Sequence, residues 1–293
     1  MEILVAIAIL VIMGKTDILI AIAVAVAVLG IIAVICAIVL TLAAGLFGVK
    51  ENEKVVAVRD CLPGANCGAC GFSGCDGYAK ALGEGQTDNP SLCTPGGADV
   101  AAQLSEIMGL AAGEVDKKVA YVACNGACKP EQRKFVYDGI KTCTAAKNGG
   151  YAGDRDCTYA CLGYGDCMAV CPENAIVINA EKGIAEIDPQ KCVGCGLCAK
   201  ACPNSVIHIV SEKSRVLVKC SSHDKGAVVR KFCPDGCIGC MKCQKVCPEG
   251  AIKVENNLAV IDYDKCTGCG ACHEACPVKC IHLESLVCGT HFE

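Results

Sequence analysis

The sequence contains no tryptophan, and aromatic residues make up only 4% of it. A chain so poor in rings cannot build its core from them. Small aliphatic side chains and bound groups must supply compactness, and a fold that leans on bound metal is unstable without it. No GxGxxG lies between a strand-like and a helix-like segment, and Gly14-Lys15-Thr16 lacks the glycine that a P-loop carries five residues before its own Gly. Nucleotide and flavin sites of those kinds are excluded. The five histidines, His208, His223, His273, His282 and His291, show no paired ligand spacing. No acid–base pair is discernible. The sequence therefore offers no substrate site of its own. A net charge of −4 says little about partners, and no nucleic-acid signature is present.

What the chain has in excess is cysteine, 29 of 293 residues. Such a density has two common physical explanations, a secreted disulfide scaffold or metal ligation. Disulfide scaffolds are usually short, and their cysteines seldom recur as CxxCxxCxxxCP. Here that spacing or a close variant occurs four times, the signature of [4Fe–4S] ligation. Iron binding needs free thiolates, so the motifs also imply a reducing compartment.

Residues 18–48 run from Ile18 to Gly48 without a charge. About 20 apolar residues span a bilayer as a helix, so the stretch predicts one spanning helix with room for tilt. The shorter run Ile3 to Met13 is too short to span and is cut off by Gly14-Lys15-Thr16-Asp17. Glu2 stands where a signal peptide would carry basic residues, which argues against cleavage. Lys50, Lys54 and Arg59 follow the span and Lys15 precedes it, so the cysteine-rich part is expected on the cytoplasmic side. Cys36, inside the span, reads as a small apolar packing residue.

A glycine-dense box follows, Asp60-Cys61-Leu-Pro-Gly-Ala-Asn-Cys67-Gly-Ala-Cys70-Gly-Phe-Ser-Gly-Cys75, with Cys93 in Leu92-Cys93-Thr94-Pro95-Gly96-Gly97. A CxxC pair, a third cysteine five residues on and a distal fourth can surround one cube. The ligand set expected is Cys67, Cys70, Cys75 and Cys93, with Cys61 a near miss. Beyond it, Val100, Leu104, Ile107 and Met108 recur with helical period, so an amphipathic helix is expected over 98–108, closed by Gly109.

The strongest signal is a duplication. One copy runs Cys171-Pro-Glu-Asn-Ala-Ile, then Cys192-Val-Gly-Cys195-Gly-Leu-Cys198-Ala-Lys-Ala-Cys202-Pro. The other runs Cys247-Pro-Glu-Gly-Ala-Ile, then Cys266-Thr-Gly-Cys269-Gly-Ala-Cys272-His-Glu-Ala-Cys276-Pro. Each copy reads as a two-cluster bacterial ferredoxin, in which the fourth cysteine of each motif serves the other cluster. In the second unit Cys237, Cys240 and Cys243 are expected to join Cys276, and Cys266, Cys269 and Cys272 to join Cys247. In the first unit Cys192, Cys195 and Cys198 should join Cys171. Its opening motif is irregular, and by analogy Cys157, Cys161 and Cys167 should join Cys202.

These sets make five [4Fe–4S] clusters. Cys36, Cys61, Cys124, Cys128, Cys143, Cys220, Cys233, Cys280 and Cys288 are left over. A sixth cluster stays open, from Cys124, Cys128 and Cys143 with Cys220 or Cys233. Between Glu212 and Lys231 six basic residues face two acids, a patch suited either to an ordinary solvated face or to docking an acidic carrier.

The anchor, then Arg59-Asp60-Cys61-Leu-Pro-Gly-Ala-Asn-Cys67-Gly-Ala-Cys70-Gly with Cys75 and Pro95-Gly-Gly, then the ferredoxin repeats, resembles the B subunit of the Rnf complex. The similarity covers essentially the whole chain and is to the long form with two ferredoxin units. It implies a membrane complex that oxidises reduced ferredoxin, reduces NAD and couples this to Na⁺ or H⁺ transport. This subunit would accept the ferredoxin electrons, with flavin and nicotinamide sites on sister subunits. The alternatives are an iron–sulfur subunit of a membrane hydrogenase or formate-type enzyme, which would not carry the Cys67–Cys75 box, and a reductase component for a redox-sensing regulator. The expected architecture is α+β: an anchor over 1–49, a [4Fe–4S] domain over 50–112, a connector over 113–156, and ferredoxin-like units over 157–219 and 220–293. The expected location is the cell (inner) membrane, crossed once.

Overall fold

A computed structural model describes residues 20, 24, 26–43, 52–111, 113–126, 133–150 and 152–287. The Ile3–Met13 run, Cys128 and Cys288 lie outside them. The chain forms two units, Met1–Asn52 and Glu53–Glu293.

In the first unit one helix, α1 (Val26–Ala43), has a mean hydropathy of 3.0 and is long and apolar enough to cross a membrane. Its side chains are exposed. Its one hydroxyl within the last turns is satisfied internally: Thr41 Oγ1 donates to the carbonyls of Ala37 and Ile38 at 2.9 Å. Internal satisfaction of this kind is what a polar group in hydrocarbon requires.

The second unit starts with three helices, α2 (Glu53–Cys61), α3 (Cys75–Gly83) and α4 (Gly97–Met108). They bury Val58, Tyr78, Leu82 and Leu104 against one another. The amphipathic period read over 98–108 is met by α4, which turns its Ala101 and Leu104 inward and ends on Gly109 with φ 68°. A left-handed residue there is the common way to close a helix.

Beyond it, the two halves of the repeat fold alike. In the first, β1 (Lys118–Val122) pairs antiparallel with β4 (Ile207–Ser211), and β2 (Ile176–Asn179) with β3 (Ile184–Ile187). In the second, β5 (Val216–Val218) pairs with β8 (Ile281–Leu283), and β6 (Ile252–Glu255) with β7 (Leu258–Ile261). These strands are rich in β-branched residues, as half-buried strands prefer. The β6–β7 turn is Asn256-Asn257 with φ 46° and 67°, the twist a two-residue hairpin needs. A short helix carries the third cysteine of each motif: α6 (Asp166–Ala169) and α7 (Leu197–Ala201) in the first half, α9 (Lys242–Val246) and α10 (Ala271–Ala275) in the second. Two more, α5 (Cys143–Asn148) and α8 (Gly226–Phe232), carry or adjoin cysteines outside the repeat.

The pairings differ from the expected division at 157 and 220. Strand β1 lies within the stretch expected to be a connector, and β5 within the end of the first unit. Each closes a ferredoxin-like half from outside its cysteine motifs, because the terminal strand of each half needs a partner for its backbone edge.

Candidate metal centre

Sixteen of the cysteines gather into four groups of four around small spaces. Cys67, Cys70, Cys75 and Cys93 line one of about 300 Å³. Asn66 organises it: with φ 47°, its Oδ1 accepts the Cys75 N–H at 2.8 Å. A Cβ on Gly74 would come within 2.8 Å of that same oxygen, so the loop needs glycine there.

Cys192, Cys195 and Cys198 share a space of about 340 Å³ with Cys171, and Cys266, Cys269 and Cys272 share one of about 340 Å³ with Cys247. Both groups bring together the residues that the crossed pattern expects. Gly194 lets the first loop pass β1, since a Cβ there would stand 2.3 Å from the Lys118 carbonyl oxygen. In the other group of the second half, Cys237 and Cys276 are neighbours and Cys243 adjoins Cys237 and Cys240.

The first half departs from expectation at Cys157. Cys167 lies within electrostatic reach of Cys161, Cys143, Cys202 and Cys198, whereas Cys157 lines a different space. The cause is local. The Asp166 carboxylate accepts the N–H of Cys143 at 2.7 Å and the N–H and hydroxyl of Thr144 at 3.0 and 2.8 Å. Burial opposes ionisation of Asp166, but these hydrogen bonds outweigh it and hold its pKa below the usual carboxylate range. Asp166 immediately precedes Cys167, so it fastens the start of α5 beside that cysteine.

Cys157 instead shares a space of about 400 Å³ with Cys124, Cys220 and Cys233. These four come from the end of β1, the start of the irregular motif, the end of β5 and the end of α8. Three of them, Cys124, Cys220 and Cys233, are cysteines that the five expected sets leave over, whereas Cys143, expected with them, is elsewhere. A signal in the sequence existed: Cys124 and Cys220 each follow an apolar strand at the same place in the repeat. Cys61 packs, half-buried, in the three-helix core, and Cys36 lies exposed on α1.

The chemistry of these groups fits iron–sulfur clusters. Every described cysteine is unbridged. Burial pushes the Cys161, Cys167 and Cys198 thiols up to about 12 and Cys243 up to about 11. Thiols so placed give up their protons when a cation replaces them. Backbone N–H groups already point at sulfur: Ala120 to Cys192 at 3.3 Å, Ala175 to Cys171 and Ala185 to Cys161 at 3.4 Å. Cys220 accepts two, from Ser222 at 3.5 Å and Cys237 at 3.3 Å, as a coordinated thiolate would. Among the described residues no three His, Cys, Asp or Glu side chains approach closely enough to share one ion. The recurring CxxCxxCxxxCP spacing suits a polynuclear cluster.

Neighbouring groups also lie within electrostatic reach of one another. Cys195 adjoins Cys67, and Lys200 Nζ donates to the Cys67 carbonyl at 2.5 Å. Cys167 adjoins Cys198, Cys161 adjoins Cys124, Cys220 adjoins Cys237, and Cys243 adjoins Cys272.

Comparison with known proteins agrees with this chemistry. A family model for an Fe-S cluster matches residues 62–95, and models of 4Fe-4S dicluster domains match 155–206, 191–252 and 227–283. The chain is similar to the B subunit of the Na(+)-translocating ferredoxin:NAD(+) oxidoreductase complex of Acetobacterium woodii, 46% identical over 81% of this chain and 71% of that one. It is 46% identical to the corresponding protein of the proton-translocating ferredoxin:NAD(+) oxidoreductase complex of Clostridium ljungdahlii, over 80% of this chain and 82% of that one. It is 39% identical to the counterpart in the ion-translocating oxidoreductase complex of Methanosarcina acetivorans, over 78% of this chain and 85% of that one.

Proposed function

Because the chain belongs to the B-subunit family of ion-translocating ferredoxin:NAD(+) oxidoreductase complexes, the Rnf complexes, we propose that it receives electrons from reduced ferredoxin and hands them to the sister subunits that pass them to NAD. It is an iron–sulfur electron-transfer subunit of a membrane complex. When bound, the clusters supply one-electron carriers, and the protein supplies ligands, spacing and hydrogen bonds to sulfur.

The observation that carries the reading is the unbroken series of neighbouring cysteine groups. Six sets of ligands follow: Cys67, Cys70, Cys75 and Cys93; Cys171, Cys192, Cys195 and Cys198; Cys143, Cys161, Cys167 and Cys202; Cys124, Cys157, Cys220 and Cys233; Cys237, Cys240, Cys243 and Cys276; Cys247, Cys266, Cys269 and Cys272. In that order each set adjoins the next. The fourth set is the link between the two ferredoxin-like halves. Electrons enter at the second half, whose Cys240 and Cys269 are exposed, and leave at the Cys67 box. Lys225, Arg230 and Lys231, exposed on and beside α8, favour an acidic ferredoxin as donor. Lys213 and Lys219 of the same stretch are engaged with Glu114 and Glu284. The cluster-bearing part lies on the cytoplasmic side of the membrane, by the basic residues that follow the anchor.

Iron and sulfide quantification on the anaerobically purified chain tests the ligand sets. Six clusters require about 24 irons and five about 20. Cys220→Ala should remove about four irons and leave the second half reducible by ferredoxin while the first half and the Cys67 box stay oxidised. Full reduction of the remaining clusters in that variant would break the proposed order.

A further inference from the structure

One buried thiol belongs to none of the six ligand sets. Cys280 is 1% exposed, at the entrance to β8, and its backbone carbonyl is held by the Lys219 N–H at 2.8 Å. Its Sγ lies 3.6 Å from Cys276 Sγ, and its side chain also hydrogen-bonds that of Cys237. It therefore touches two members of one set, each from a different motif of the second half.

The repeat gives an internal comparison. Cys280 stands four residues after Cys276, the cysteine of the Cys276-Pro277 pair. The same place after Cys171, Cys202 and Cys247 is held by Ala175, Val206 and Ala251. All three are buried to 2% exposure or less. The position is a core position, and at three of its four occurrences it holds a side chain with no donor. A small apolar packing role explains burial of a cysteine there, but not contact with two ligand sulfurs. In the loaded protein Cys237 and Cys276 are thiolates without protons. The only S–H in this contact belongs to Cys280, so Cys280 is the donor.

We infer that Cys280 is a positioning residue that donates its S–H to the ligand sulfurs Cys276 and Cys237 and so raises the reduction potential of the cluster they hold above that of its counterpart in the first half. A donor to a ligand sulfur stabilises the reduced cluster, which carries one more negative charge, more than the oxidised one. The inference rests on the ligand sets proposed above. It places the more oxidising of the two equivalent centres in the half where electrons enter.

The test is an EPR-monitored redox titration of the full chain, with iron counted in each variant. Cys280→Val installs the residue that the first half carries at this place. It should keep the iron content of the unchanged protein and move one titration step to lower potential. Cys280→Ser keeps a donor and should leave that step close to its original position. The reciprocal Val206→Cys should raise the potential of the cluster held by Cys143, Cys161, Cys167 and Cys202, and it decides the matter if Cys280→Val fails to fold. Unmoved potentials in Cys280→Val or in Val206→Cys would overturn the inference while leaving the ligand sets intact. Loss of about four irons in a folded Cys280→Val would overturn it differently, by making Cys280 a ligand. If Cys276→Ala loses no iron, it is the ligand assignment that fails.

Discussion

Lys200 reaches the backbone carbonyl of Cys67 at 2.5 Å, joining a residue of the first ferredoxin-like half to a ligand of the three-helix domain. Gly68, at φ 69°, turns the loop beside this contact, and a Cβ there would stand 3.3 Å from the Phe72 carbonyl oxygen. The same contact sets Cys195 beside Cys67. Lys200→Met should leave the iron content unchanged and loosen this junction. A hydrogen bond to a charged donor at a partly solvated site contributes about 1 kcal/mol, so docked molecules should become roughly fivefold rarer. Stopped-flow reduction by dithionite-reduced ferredoxin would show it as delayed reduction of the Cys67 cluster, with the second half unaffected.

The exchange of Cys143 for Cys157 has a stoichiometric consequence. Cys143→Ala and Cys157→Ala should each remove about four irons, from different clusters, and the double variant about eight. Cys61→Ala should remove none, because Cys61 packs in the helical core instead of lining a cluster space. If Cys143→Ala retains all its iron, the role assigned to Asp166 is wrong.

The β5–β8 pair carries a charge cluster with a definite pH dependence. Glu284 meets Lys219 Nζ at 3.0 Å and His282 Nδ1 at 3.3 Å. Burial alone would raise the Glu284 pKa, but these two partners overcome it and bring it down to about 2. A folded-state pKa below the unfolded value of about 4.3 stabilises the fold at any pH above that value. The contribution is then lost as pH falls from about 4.3 toward 2. Glu284→Gln should therefore lower the denaturant midpoint at pH 7, on the order of 2 kcal/mol after allowance for partial exposure. The gap between the two proteins should shrink steadily below about pH 4 and close near pH 2.

Leu104 is fully buried between α4 and its neighbours. Leu104→Ala should cost about 2–5 kcal/mol and free the helix that follows Cys93. We expect loss of the Cys67 cluster in thermal melts at temperatures where the ferredoxin-like halves keep theirs, read as a drop in iron of about four per chain.

The repeat was legible because its ligand spacing is local. A CxxCxxC run can be read wherever it stands, and its fourth cysteine follows at a fixed distance with proline after it. Amphipathic period was enough to place α4. What escaped were relationships between distant segments. Nothing in the residues around Cys143 says that Asp166 will hold it, and the irregular run from Cys157 to Cys171 resembles a stretched motif until α5 is seen to fill the gap. The strand β1 is an apolar stretch from Val119 in the sequence, but its partner is a strand beyond two cysteine motifs. Spacing also left Cys280 among the spare cysteines, with no sign that its thiol meets Cys276 and Cys237.

The group formed by Cys124, Cys157, Cys220 and Cys233 also bears on biogenesis. The Cys67 box is complete once Cys93 has left the ribosome, and it can be loaded while the rest of the chain is still being made. The linking group has no fourth thiol until Cys233 has emerged, and no shape until β5, whose partner β8 is made last, is held in its sheet. Its cluster, like the two of the second half, which wait for Cys272 and Cys276, can be inserted only late, into a chain already nearly folded. A shortage of iron during synthesis would therefore leave molecules with the Cys67 box loaded and everything from the linking group onward open-circuit.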